Sequence, residues 1–118
     1  MTKVIFVARK RADLTEDEFL TYWQQIHAPL VAKIPGVRRY VIQPVIRTAS
    51  GADVEPVCDG IAEVWFDNQS IVQDAVESPE GQAAAADVPK FCAPESGAVV
   101  VDEISGALGV ARRASPHY

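Results

Sequence analysis

A chain of 118 residues with 48% apolar and 23% charged side chains fits one globular domain with a modest core and excludes a disordered, fibrous or membrane-embedded class. The formal charge of -5, from 16 acidic and 11 basic residues, argues against a nucleic-acid partner, because phosphate binding depends on Lys and Arg displacing counterions. No stretch approaches the ~20 apolar residues that span a bilayer, and no secretory hydrophobic region precedes the first strand pattern, so a cytoplasmic protein without membrane contact is expected.

Lys3 to Ala8, with Val4, Ile5, Phe6 and Val7 unbroken, predicts a strand buried on both faces. Thr15 followed by Glu18 is a capping-box pattern that starts a helix. Phe19, Tyr22, Trp23, Ile26 and Leu30 then recur at helical spacing on one core-facing stripe. Pro29 should tighten or kink this helix, since it supplies no amide hydrogen, and Pro35-Gly36 should end it. Val37 to Ile46 is the second strand, and its Pro44 suggests an edge or a bulge.

Residues 47–58 contain Ser50-Gly51, Asp53 and Pro56 without periodicity and predict a long hairpin loop, a candidate pocket lid. Gly60 to Phe66 alternates as a strand, with Ala62, Val64 and Phe66 on one face and Ile61, Glu63 and Trp65 on the other. Asp67 or Asn68 caps a second helix carrying Ile71, Val72, Ala75 and Val76 on one side, and Ser78-Pro79-Glu80 starts a further alanine-rich piece. Ala98 to Ile104 is the last strand. The expected domain is therefore 3–104, with an extended tail at 105–118.

Strand, helix, strand, strand, helix, strand is the split βαβ order of an α+β protein with a four-stranded antiparallel sheet and helices on one face. The uncovered face, with Glu63 and Trp65, predicts a homodimer packed sheet to sheet as a barrel.

His27 stands beside the apolar stripe of the first helix, either as a structural histidine bonded to a backbone carbonyl or as a general acid/base in a small-molecule pocket. Tyr40 either hydrogen-bonds a substrate oxygen or fills the core, and Asp59 either supports a turn or orients an imidazole and takes a proton. Asp87, before Val88-Pro89, reads most simply as a helix-end or turn residue. Cys58 and Cys92 lack Cys-x-x-Cys spacing and a nearby histidine, so reduced thiols are expected rather than a disulfide or a zinc site. No Gly-x-Gly-x-x-Gly, Walker, Gly-x-Ser-x-Gly or His-Glu-x-x-His pattern is present, which favours chemistry without a cofactor or metal.

Tyr22-Trp23 with His27, Pro29 and Leu30, Pro35-Gly36 with Tyr40, Asp59-Gly60 with Glu63, Trp65 and Phe66, and Ser78-Pro79 with Asp87, Lys90 and Phe91 together resemble the EthD family of dimeric α+β barrels. The resemblance implies a ferredoxin-like βαββαβ protomer, a homodimer with facing sheets, and a cleft between sheet and helices. Relatives of this type include lactone isomerases, polyketide cyclases, dehydratases and decarboxylases, and accessory proteins. In the enzymes, the residues matching His27 and Tyr40 line the cleft. By the same likeness Tyr22, Trp23, Val64 and Phe66 would shape the substrate pocket.

Two departures stand out. Val64 replaces a cysteine of the lactone isomerases, and residues 45–59 contain no histidine. The expected function is a cofactor-independent lyase or isomerase acting on a small oxygenated cyclic or aromatic metabolite, with His27, Asp59 and Tyr40 catalytic. The alternatives are a cofactor-free monooxygenase and a non-catalytic small-molecule-binding accessory protein.

Overall fold

The structure is a computed structural model and describes residues 1–104, so the expected tail lies outside the described residues. Four strands, β1 (Thr2–Ala8), β2 (Arg39–Pro44), β3 (Gly60–Phe66) and β4 (Gly97–Asp102), form one antiparallel sheet in the order β2-β3-β1-β4. That order, with helices inserted after β1 and after β3, makes the chain a ferredoxin-like α+β fold. The register runs Val4 to Val64 and Tyr40 to Val64, so these residues share one face. The β2 ladder stops at Pro44, opposite Gly60, on the sheet edge where a missing amide hydrogen is tolerated.

β1 is not buried on both faces as expected. Its helix side is covered, but Ile5 is half-buried and Val7 exposed on the other, because all the helices lie on one side of the sheet. Alternation in β3 is strict, with Gly60, Ala62, Val64 and Phe66 buried and the residues between them half-buried.

The first helical region has three consecutive segments, α1 (Glu16–Tyr22), a π-helical turn (Trp23–His27) and α2 (Ala28–Ala32). Thr15 and Glu18 form the reciprocal capping box, which stabilises a helix start by about 1 kcal/mol. In the wide turn the Ala28 amide donates to the Trp23 carbonyl, an i→i+5 bond that takes up one extra residue. Pro29 follows immediately. A proline ring crowds the carbonyl four residues earlier, and a widened turn relieves that crowding without breaking the helix.

This turn also corrects the expected stripe. Residues four apart in a regular α-helix are rotated by about 40°, so a four-residue series drifts off the core face. Here Phe19, Trp23, His27 and Val31 are all buried, while Ile26 is 51% exposed. His27 therefore lies on the core-facing line rather than beside it.

α3 (Gln69–Glu77) is capped by Asn68, whose side chain accepts the Ile71 amide hydrogen, while Asp67 binds Arg38 instead. Val76 on this helix is exposed, outside the buried side formed by Val72 and Ala75. α4 (Pro79–Asp87) is capped by Ser78 and runs into a 3-10 turn at Val88–Lys90.

The core has an aromatic half built on Phe19, Trp23 and Phe91 and an aliphatic half built on Val31, Val64, Phe66 and Val72. Tyr40 packs against both. Trp23 lies so close to β3 that a Cβ on Gly60 would sit 2.5 Å from its ring. Gly60→Ala should therefore destabilise the protein by about 1–3 kcal/mol through overpacking. Urea denaturation measures this, and an unchanged midpoint would contradict the close approach.

Candidate functional site

The wide turn delivers the His27 ring into the space between the first helical region and the end of α4. There Nδ1 meets Asp87 Oδ2 at 2.9 Å, with His27 5% and Asp87 6% exposed. The Tyr22 hydroxyl donates to the other carboxylate oxygen, Oδ1, at 2.6 Å. Lys90 Nζ stands 3.9 Å from that same oxygen, at the solvent edge. Phe91 closes the site as an aromatic wall, 4.8 Å from the His27 ring and 5.2 Å from Tyr22 between centroids.

An ionised carboxylate only accepts, so Nδ1 carries the hydrogen of this bond and the lone pair of a neutral imidazole falls on Nε2. Among the described residues Nε2 has no hydrogen-bond partner. Burial lowers the His27 pKa from its ordinary value, and the Asp87 hydrogen bond and charge oppose that shift. The Tyr22 hydroxyl is pushed up to about 12 by desolvation, reinforced by the same carboxylate, and stays a donor at neutral pH.

Tyr40, on β2, accepts the Trp23 indole N–H at 2.8 Å, which leaves its own hydroxyl hydrogen to donate. Burial pushes it up to about 12 despite the indole bond.

The structure thus brings Tyr22, Trp23, His27 and Tyr40 into contact with the aromatic half of the core. Asp59 is engaged elsewhere. Its Oδ2 accepts the Lys10 backbone amide at 2.7 Å and lies 3.6 Å from Arg9, tying the end of β1 to the start of β3. The carboxylate on His27 is Asp87, which the sequence reading took as a helix-end or turn residue without a role at the site; it is the last residue of α4. One signal for it was available: Asp87 is the last residue of α4, where an acid opposes the helix dipole by about 0.3–1 kcal/mol, so its presence calls for a local partner.

Val64 and Phe66 line a separate, half-open apolar pocket of about 190 Å3 whose rim includes the exposed Val76. A larger open groove of about 1040 Å3 lies at the end of β1, walled by Arg9, Lys10, Val88 and Cys92, with Glu55 from the long connection on its rim. His27 lines neither. Both cysteines are buried thiols, and burial pushes Cys92 up to about 12, far from a nucleophilic thiolate. Among the described residues no group of three or more His, Cys, Asp or Glu converges on one point, and no helix is long and apolar enough to cross a membrane.

The chain also matches a known family. The EthD domain model matches residues 11–95, and the chain belongs to the EthD domain family. An uncharacterized 11.0 kDa protein from the thcB-thcC intergenic region of Rhodococcus erythropolis is 34% identical over 73 residues, which is 62% of this chain and 68% of that protein. The crystal structure of an ethyl tert-butyl ether d (EthD) family protein from Bacillus halodurans superposes with a TM-score of 0.77 at 26% identity, over 88% of this chain and 99% of that one.

Two more distant structures share the fold alone. A dimeric ferredoxin-like protein of unknown function from Bacteroides fragilis has a TM-score of 0.62 at 19% identity, covering 86% of this chain and 95% of that one. SnoaB from Streptomyces nogalater, a cofactor-independent oxygenase, has a TM-score of 0.57 at 16% identity, covering 89% and 96%.

Asp87 raises the affinity of His27 for its proton, so Asp87→Asn should lower the His27 pKa further. Folding depresses that pKa below the ordinary 6.5, so the unfolded chain takes up the proton first on acidification. The residue's contribution to stability is complete above pH 6.5 and declines as pH falls through the folded value. NMR titration of the imidazole in both proteins checks this, and a raised His27 pKa in Asp87→Asn would refute the pairing.

Proposed function

We propose that this protein is a cofactor-independent enzyme of lyase or isomerase type that moves a proton on a small oxygenated cyclic or aromatic metabolite. The observation that carries this reading is the buried His27–Asp87 pair, whose geometry leaves the Nε2 lone pair for a substrate proton. Its lowered pKa keeps the imidazole in the basic form at neutral pH. Asp87 fixes the tautomer and stabilises the imidazolium that forms, and Tyr22 holds Asp87 in place.

In this mechanism Nε2 takes a proton from a carbon beside a substrate carbonyl. The C–H electron pair moves into the ring system and an enolate oxygen develops, to which Tyr40 donates its hydrogen. Returning the proton to a second carbon gives isomerisation. Loss of a leaving group from the enolate gives elimination, and the group departs with its bonding pair.

The same reading includes a homodimer through the open sheet face. Ile5, Val7 and Val99 are left there for a partner, and the polar groups among them are already matched. Lys3 binds Glu63 at 2.6 Å, Gln43 donates to Glu63 at 2.9 Å, and the Arg39 guanidinium lies 4.7 Å from the Trp65 ring. Paired charges can be covered without the cost of an orphaned ion.

Deuterium uptake from D2O into a panel of enolisable cyclic ketones and lactones tests the proton transfer. The folded His27→Gln protein, checked by circular dichroism, should lose about 10²- to 10⁴-fold in exchange rate. Exchange at the wild-type rate in that variant would sink the assignment. Sedimentation should show the wild-type chain as a dimer and Ile5→Asp shifted toward monomer, since a carboxylate directly opposite Glu63 adds an unpaired like charge to an apolar seam. A monomeric wild type would remove the sheet-face dimer.

A further inference from the structure

β4 forms one edge of the sheet, and five of its six residues are exposed. The Glu103 amide donates to the Met1 carbonyl, which continues the Thr2–Asp102 register by one pair. In an antiparallel ladder every second residue bonds to the same neighbour, so Gly97, Val99 and Val101 also turn their amide and carbonyl groups toward β1. Ala98, Val100 and Asp102 turn theirs outward. Among the described residues no backbone group pairs with them.

Such an edge is a template for a further strand, and proteins commonly blunt it with charged side chains, proline or a bulge. The opposite edge is blunted in this way, since β2 carries Arg39 and ends at Pro44. β4 instead has Val99, Val100 and Val101 in a row and a continuous register on β1.

The residues that follow β4 have the pattern of a return strand. Ile104 continues the outward series by count, and Ser105-Gly106 is a turn dipeptide. A two-residue hairpin loop is closed by a pair whose main-chain groups face each other, which an outward Ile104 offers to Ala107. Counting on sets Asp102 opposite Gly109 and Val100 opposite Ala111. Leu108 and Val110 then fall opposite Glu103 and Val101, on the open face that Val99 shares with Ile5. The two larger apolar side chains of this stretch thus meet the face that is already apolar. Charge agrees with the pairing. Arg112 and Arg113 are the only charged side chains in 105–118, so 1–104 hold nine basic and all 16 acidic residues, a formal -7 against +2.

We propose that the edge of β4 takes the chain's own segment 105–118, which returns through Ser105-Gly106 and adds a fifth antiparallel strand at residues 107–113. This strand pairs the outward groups of Ala98, Val100 and Asp102 and extends the open face with Leu108 and Val110. It stands apart from the reading of His27.

NMR on the full-length chain tests this, with labelled and unlabelled protein mixed in equal parts so that contacts within a chain are separated from contacts between chains. Opposed residues between the hydrogen-bonded pairs approach to about 4.5 Å at Cα. Strong Hα–Hα Overhauser contacts are therefore expected within one chain, from Val101 to Val110 and from Glu103 to Leu108. Ala111→Pro removes the amide that faces Val100 and should speed amide exchange at Val100 about tenfold, with exchange in β3 unchanged. Exchange at Val100 indifferent to Ala111→Pro, or absence of the Val101–Val110 contact, overturns the proposal. Contacts found only between chains give the edge to a second copy and overturn it equally, and a different pairing within the chain removes the turn at Ser105-Gly106 and the proposal with it.

Discussion

The wide turn at Trp23–His27 is the constraint on which the rest of the structure depends. A helix that supported this sheet with regular geometry would bury Phe19 and Trp23 and then rotate its next core position away, past His27. The i→i+5 bond from Ala28 to Trp23 holds the line instead, so Phe19, Trp23, His27 and Val31 enter the core in sequence. One of the four is ionisable. A π-turn gives up regular helix hydrogen bonding, and such turns are concentrated at functional sites. Here the gain is a buried imidazole in a position that the α-helical phase would have left at the border.

Once the imidazole is buried, the chemistry around it follows from desolvation. An unpartnered histidine there would be costly, and a lone carboxylate at the end of α4 would be costlier still. Each satisfies the other at 2.9 Å, and Tyr22 takes the second carboxylate oxygen at 2.6 Å. Asp87 lies at the end of its helix where the dipole opposes it, so the helix itself gains nothing from the acid. The tertiary pairing is what retains it. Desolvation and the carboxylate act on His27 in opposite directions, and burial is the larger of the two.

Strand and helix identities were legible in the sequence because they depend on local pattern. The Thr15–Glu18 box, the alternation from Gly60 to Phe66 and the Asn68 and Ser78 caps all lie within four residues or one strand. The orienting acid was not legible. Asp87 is 60 residues from His27 along the chain, and Asp59 carried an equally plausible carboxylate that the structure commits to the Lys10 amide. Ile26 misled the stripe for a related reason, since the turn that exposes it is set by Pro29 and by packing on Phe91 rather than by propensity. Expecting β1 to be covered on both faces came from reading a run of apolar residues without knowing that one face of the sheet is open in the single chain.

The two halves of the core also explain why the aromatic and aliphatic residues are segregated. Phe91 packs on the rings of His27 and Tyr22, and Phe19 and Trp23 pack on Phe91 in turn, close aromatic contacts that fix rings in place. Val31, Val64, Phe66 and the short side chains of α3 and α4 leave space. Tyr40 is the side chain that touches both, its hydroxyl bonded to Trp23 and its strand neighbour Val64 lining the pocket. A rigid polar cluster and a yielding apolar volume have opposite packing demands, and a protein this small can hold both only by giving each its own end of the helix–sheet interface. The line from Trp23 through His27 to Val31 runs across that division, so the wide turn that buries the imidazole also carries the helix from the aromatic half, through Trp23, to the aliphatic half, through Val31.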